Sequence, residues 1–262
     1  MTAKRPRKLL TEERRREIVR IVETDGRAMV EDLVQKLGVS AVTIRGDLDA
    51  LARTGALVRS HGGAVRPEGN QPDFPISLKG SLHRTEKVAI AKAAVDLIEP
   101  GQTIILDSGT TTAEIARQIK LNKTPLTVIT NALNVALELA GAQDITLIML
   151  GGVLRSTSSS MVGPQAERAL RDFTADHLFL GVDGIDLRVG ICTPDVLEAQ
   201  LNHVMIEVSH EVSAVADFSK FGRRSLSIIG QLDRVNRIIT DSKANPQMVE
   251  SIRGRDVEVV IA

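Results

Sequence analysis

From Leu106 to Thr112 the sequence reads Leu-Asp-Ser-Gly-Thr-Thr-Thr. An apolar run, Thr103–Leu106, precedes it, and a segment with helical spacing, Thr112–Ile119, follows. A hydroxyl-rich loop with a glycine at a helix N-terminus suits an anion. Backbone amides point outward, hydroxyls donate, and the helix dipole favours negative charge. At the carboxyl end of a strand, such a loop also occupies the usual ligand crevice of an α/β sheet. Asp107, Ser108, Gly109, Thr110, Thr111 and Thr112 are therefore candidate ligand residues, although an ordinary capped turn uses the same residue types. More polar or glycine-rich stretches follow other strand-like runs: Thr130-Asn131, Gly151-Gly152, Gly181-Val182-Asp183-Gly184-Ile185-Asp186 and Asp217-Phe218-Ser219-Lys220-Phe221.

A second set of residues lies near the N-terminus. Ser40, Ala41, Thr43 and Arg45 open a helical segment. An arginine there can donate two hydrogen bonds to a guanine edge in the major groove. Ser40 and Thr43 can reach phosphates, helped by the positive helix end. Arg59, His61 and Arg66 fall on a following hairpin, where they add charge near the DNA backbone or minor groove.

Catalytic and metal constellations are weak. The histidines at 61, 83, 177, 203 and 210 lack metal-ligand spacing, and no metal or cofactor is expected. Cys192 has no local histidine partner, and no base completes an Asp107–Ser108 pair. Gly151-Gly152 alone is not a nucleotide fingerprint.

The elements that must position these residues divide the chain. Residues 1–10 read as a basic arm. Helices are expected from Thr11 to Gly26, from Val30 to Leu37 and from Ala41 to about Thr54. Ile44, Leu48 and Leu51 make the inward stripe of the third helix. Ala56–Arg59, the His61-Gly62-Gly63 turn and Ala64–Arg66 read as a hairpin. Helix, helix, tight turn, helix and hairpin over residues 11–66 describe a winged helix-turn-helix. The Pro- and Gly-containing stretch within 67–84 reads as a linker. Residues 85–262 begin with a helix from Thr85 to about Leu97. Strand candidates then alternate with helices: Thr103–Leu106, Leu126–Ile129, Ile145–Leu150, His177–Leu180, Ser213–Ala216, Arg237–Thr240 and Glu258–Ile261. That alternation predicts an α/β domain with a mostly parallel sheet covered by helices.

Composition narrows the partners. The 262 residues carry 33 basic and 33 acidic side chains. Residues 1–66, however, hold 14 Lys/Arg against 9 Asp/Glu, so a basic first quarter precedes an acidic remainder. Five Phe and no Tyr or Trp disfavour stacking of single-stranded bases. One cysteine excludes an internal disulfide and fits the cytoplasm. No apolar run approaches membrane-spanning length, and the N-terminus lacks a secretory apolar region.

The stretch Val39-Ser40-Ala41-Val42-Thr43-Ile44-Arg45-Gly46-Asp47-Leu48, followed by Arg59-Ser60-His61-Gly62-Gly63-Ala64, resembles the DNA-binding signature of the DeoR family of bacterial repressors. Gly46 departs from it, since a second arginine is common there. The stretches after the later strands resemble the family's sensor domain, which binds phosphorylated sugars or related metabolites. The run Ile105–Thr112 with Phe179–Asp183 looks most like members controlling N-acetylgalactosamine and galactosamine use. The resemblance implies phosphate on Ser108 to Thr112, with Lys220 supplying a cation. It implies sugar hydroxyls on Asn131, Asp183 and Asp186, with Gly151 and Gly152 lining the site. The partners it implies are a double-stranded operator, a phosphorylated sugar such as an amino-sugar phosphate, and further copies in a homo-oligomer.

The resemblance also implies a sensor fold similar to ribose-5-phosphate isomerase, which makes an isomerase the enzyme alternative. Glu198 could then stand for the general base beside Asp183 and Asp186. Residues 187–197 contain neither the lysine nor the glycine run such an enzyme needs, so a non-enzymatic regulator is expected. A winged helix used only for protein contacts is the alternative for the first domain.

Overall fold

The computed structural model describes residues 9–53, 55–66 and 73–262. The expected basic arm (to residue 8), Thr54 and residues 67–72 of the expected linker lie outside the described residues. The chain forms two compact units, residues 1–74 and 75–262.

The first unit contains α1 (Thr11–Asp25), β1 (Arg27–Met29), α2 (Val30–Leu37), α3 (Ala41–Arg53), β2 (Val58–Ser60) and β3 (Gly63–Val65). Ile18 and Val22 of α1, Leu33 of α2, and Ile44 and Leu48 of α3 are fully buried, so the expected stripe is the core. Gly38 closes α2 in the left-handed conformation, and its amide donates to Val34. The wing is a three-stranded antiparallel sheet in the order β1-β3-β2. The sequence showed two of these strands. The third, β1, is three residues long, too short for a periodic signal. Its approach explains Gly63, where a Cβ would lie 2.2 Å from the Ala28 carbonyl.

The second unit begins with α4 (Ile76–Lys79), α5 (Arg84–Val95), β4 (Thr103–Leu106), α6 (Thr110–Asn122), β5 (Leu126–Thr130), α7 (Leu133–Leu139) and β6 (Ile145–Met149). Next come β7 (Val153–Arg155), β8 (Ser160–Val162), α8 (Pro164–Leu170), β9 (Ala175–Gly181), β10 (Gly184–Asp186), β11 (Gly190–Thr193) and α9 (Val196–Glu207). The chain ends with β12 (Ser209–Val215), β13 (Ser227–Gly230), β14 (Arg237–Thr240), α10 (Pro246–Arg253) and β15 (Glu258–Ile261).

Among the described residues one seven-stranded sheet runs in the order β15-β14-β12-β9-β4-β5-β6. Every neighbouring pair is parallel. The seven apolar runs of the sequence are these seven strands. One face buries Ile105, Leu178, Leu180 and Ala214. The other buries Ile104, Leu106, Val128 and Phe179. Burial on both faces is why the strands read as continuous apolar runs.

The short antiparallel strands β7, β8, β10, β11 and β13 did not show in the sequence. Neither did α10, although Asn245-Pro246 is a helix-start signal. Asn245 Oδ1 accepts from the amides of Gln247 and Met248. Residues 75–84, read from sequence as connecting chain, contain α4 and pack as part of the second unit. A four-residue helix has no periodicity to detect.

Candidate functional site

In the first unit, Ser40 starts α3. Its hydroxyl accepts from the Thr43 amide at 3.2 Å and lies 2.9 Å from the Thr43 hydroxyl. This caps the helix and fixes the outward turn that carries Ala41, Thr43 and Arg45. Arg45 is exposed, and Val42 beside it is 76% exposed. Gly46 faces open space, with nothing within 4 Å of a Cβ built there. Gly46→Ala should therefore stabilise the unit by about 1 kcal/mol, from helix propensity alone. An unchanged urea midpoint would show that α3 is not helical at that position.

The wing residues divide. His61 is exposed on the turn. Arg59 instead donates to the Gly63 carbonyl at 2.7 Å and pairs with Asp49 at 2.9 Å, joining the wing to α3. Arg66 is half-buried and donates to the Glu23 carbonyl near the end of α1. Arg59 and Arg66 are thus engaged within the unit, with Arg59 still exposed at the surface, while Arg45 and His61 are exposed on outward turns. Sequence spacing could not separate these roles.

In the second unit, the chain runs from β4 outward through β5 and β6, then returns to β9 on the other side of β4. The strand order reverses between β4 and β9. Ligands of open parallel sheets bind at the carboxyl ends of strands at this reversal. Asp107 to Gly109 leave β4 here, and Val182 and Asp183 leave β9. The two loops abut, since a Cβ on Gly181 would lie 3.2 Å from the Ser108 carbonyl.

Thr110, Thr111 and Thr112 form the first turn of α6, with Gly109 extended before it. Asn134 donates to the Gly109 carbonyl at 3.0 Å and holds the loop. Thr112 is fully buried, and its hydroxyl has no hydrogen-bond partner. Asn131 follows β5, donates to the Met161 carbonyl at 3.1 Å, and leaves its buried Oδ1 unpartnered.

Asp183 is the electrostatic centre. Lys79 of α4 pairs with it at 2.8 Å, and Lys220 at 3.4 Å. Burial disfavours its charge, yet the two ammonium groups hold its carboxyl far below the usual range. Asp107 behaves oppositely. Burial, reinforced by the charges of Glu198 and Asp183, pushes it well up. With its amide nitrogen turned toward these acceptors, Asn202 donates to Asp107 at 3.1 Å. Glu198, at the start of α9, accepts from Ser160 at 2.9 Å and pairs with Arg155 at 3.2 Å. Arg155 also pairs with Asp195 at 3.0 Å.

The fold thus brings Asp107 to Thr112, Asn131, Asp183 and Lys220 to one crevice. Asp186 is engaged elsewhere. Arg224 binds it at 2.8 Å and the Arg188 and Val189 amides cap it, as part of the β10–β11 hairpin. Gly151 and Gly152 lead into β7, where a Cβ on Gly152 would meet the Val162 carbonyl at 2.7 Å. They shape the hairpin that delivers Ser160 and Arg155. Sequence reasoning missed Lys79, Arg155 and Ser160, which lie in short elements far along the chain from the strands they serve.

A winged helix-turn-helix joined to an α/β unit with a charged crevice at its strand reversal defines a DNA-binding regulator with a sensor domain. Residues 14–69 match the DeoR-like helix-turn-helix domain, and residues 82–242 match the DeoR C-terminal sensor domain. The chain belongs to the DeoR family. It is 43% identical to a putative aga operon transcriptional repressor of Escherichia coli O157:H7, over 96% of this chain and 94% of that protein. It is 38% identical to the regulator GlpR of Haloferax volcanii, over 96% of this chain and 98% of that one. It is 31% identical to the glycerol-3-phosphate regulon repressor of Escherichia coli K12, over 92% and 95%.

Among solved structures, the chain resembles ribose 5-phosphate isomerase A from Methanocaldococcus jannaschii. The identity is 18% and the TM-score 0.38, over 52% of this chain and 53% of that one. At that distance the likeness bears nothing on activity. These relatives are transcriptional regulators, and the chain is a regulator rather than an isomerase. Among the described residues no helix is long and apolar enough to cross a membrane.

Proposed function

We propose that this chain is a cytoplasmic transcriptional repressor of a carbohydrate-utilisation operon. Residues 11–66 bind a repeated or palindromic double-stranded operator, and residues 85–262 bind a phosphorylated sugar that releases it. Two or more copies act together, because one small domain on one half-site gives too little affinity. The observation that carries the sensor half is the crevice at the β4–β9 reversal. There the α6 N-terminus, with the unpartnered Thr112 hydroxyl in its first turn, abuts the loop after β9, whose Asp183 is paired with the Lys220 ammonium. In this reading the phosphate sits on the α6 turn, and Asn131 and Asp183 take the sugar hydroxyls. One relative is named as a repressor of the aga operon and another as the repressor of the glycerol-3-phosphate regulon, and the second name supports a small phosphorylated metabolite as the effector class.

The test is fluorescence anisotropy on DNA from the region upstream of the gene, titrated with sugar phosphates at fixed salt. Tight binding relieved by one sugar phosphate is expected. No sequence-selective binding with or without ligand would overturn the proposal.

Two substitutions locate the surfaces. Arg45→Ala should weaken operator binding by about 1–3 kcal/mol and relax discrimination at one base pair. An unchanged sequence preference would remove Arg45 as a base reader. Thr110→Ala should weaken the sugar phosphate about tenfold, the loss of one hydrogen bond to a charged group. An unaltered affinity would displace the phosphate from α6.

A further inference from the structure

Lys79 reaches the sensor crevice from an unexpected direction. It ends α4, the first element of the second unit, directly after the chain that leads from the DNA-binding unit. Its ammonium lies 2.8 Å from Asp183, closer than Lys220 at 3.4 Å.

The backbone around it is tied to the crevice on several sides. The Ile76 amide donates to the Thr157 carbonyl at 2.7 Å, joining α4 to the β7–β8 hairpin. Lys87, buried in α5, donates to the carbonyls of Lys79 at 2.5 Å and Leu82 at 2.6 Å. Gly80 packs on the α6 turn, where its Cβ would lie 3.5 Å from Thr110 Cγ2. The segment from Ile76 to Leu82 thus borders the crevice, with Lys79 on Asp183 and Gly80 against Thr110 of the α6 turn.

We propose that Lys79 contacts the effector, and that α4 transmits its arrival to the chain leading to the DNA-binding unit. The inference rests on the sensor function proposed above. A phosphate on the α6 turn sets a second anion beside the Lys79 ammonium, which Asp183 otherwise holds. Lys79 then redistributes between the two, and α4 shifts with it because Lys79 is its last residue. Lys220 meets the same carboxylate from the Phe218–Lys220 turn, far along the chain from α4. Phe218 of that turn packs edge-on against His83 at 4.9 Å, beyond the end of α4, so Lys220 adds affinity without sitting on α4 itself.

Only a difference between states carries coupling, and it appears as a ratio of affinities. The experiment measures the dissociation constant of one sugar phosphate for the full chain, free and bound to selected operator DNA. The probe is the sugar phosphate that raises Tm most in a panel of pentose, hexose and amino-sugar phosphates. Wild type should show a ratio of about 10 or more, within the usual range of coupling. Lys79→Met should weaken the probe and collapse the ratio toward one. Lys220→Met should weaken the probe and keep the ratio. Lys79→Arg should restore it, because the charge returns and Lys87 still holds the α4 backbone.

A preserved ratio in Lys79→Met, or an equal collapse in Lys220→Met, would overturn the inference while leaving the sensor intact. A wild-type ratio of one would overturn the sensor proposal itself, and this inference with it.

Discussion

Asp47→Ala is expected to cost the first unit about 3–5 kcal/mol, the scale of breaking a buried ion pair from one side. Asp47 is 3% exposed and sits on α3 beneath the outward turn. One oxygen takes the Arg14 guanidinium at 2.5 Å and the other takes Arg15 at 2.9 Å. Arg14 is itself buried, so alanine would leave a desolvated cation without its counter-charge. A domain of this size has only about 5–15 kcal/mol of stability in all. DNA binding should therefore fail through unfolding, although Asp47 is turned into the unit against α1.

Hydrogen exchange by mass spectrometry separates this from a lost DNA contact. Amides in 9–66 should exchange faster in Asp47→Ala, and amides in 75–262 should not. Native-like protection in the first unit together with lost operator binding would make Asp47 a DNA contact after all.

That aspartate also shows how much the sequence disclosed. The signature around Val39–Leu48 placed the helix, its cap and its outward arginine. It could not say that the aspartate turns inward to clamp α1 while the arginine stays exposed, since both are polar residues in one motif. The seven parallel strands were legible because burial on both faces makes long apolar runs. The crevice was half legible. Residues that follow a strand directly, such as Ser108, Asn131 and Asp183, carry a local signal. Lys79, Arg155 and Ser160 do not. They lie in elements of three or four residues and reach the crevice only through tertiary packing. Asp186 shows the same limit of local signals. Its spacing after Asp183 suggests a shared role, but the hairpin carries it to Arg224.

Lowering the pH from 7 to 4 should cost the second unit about 3 kcal/mol through His177 alone. His177 lies on β9, buried, with Nε2 2.8 Å from the Ser213 hydroxyl and its ring stacked on Phe179 at 4.1 Å. Burial lowers its pKa from 6.5 to about 4. The charges that face it are Glu211, its register partner on β12, and Arg237 on β14. Glu211 favours the imidazolium and Arg237 opposes it, so desolvation decides. Between about pH 4 and 6.5 the unfolded chain binds a proton that the folded chain refuses. Stability from this group is complete above pH 6.5, falls as the pH drops through that window, and levels off near 4. The span of about 2.5 pKa units sets the magnitude, at about 1.4 kcal/mol per unit. Carboxylates also titrate at the acid end, so the measurement is a difference. Urea unfolding of wild type and His177→Gln, followed by far-UV circular dichroism, should show wild type losing about 3 kcal/mol relative to the variant as the pH falls from 6.5 to 4. Parallel curves across that range would mean that His177 titrates normally in the fold, and that its burial does not keep it neutral.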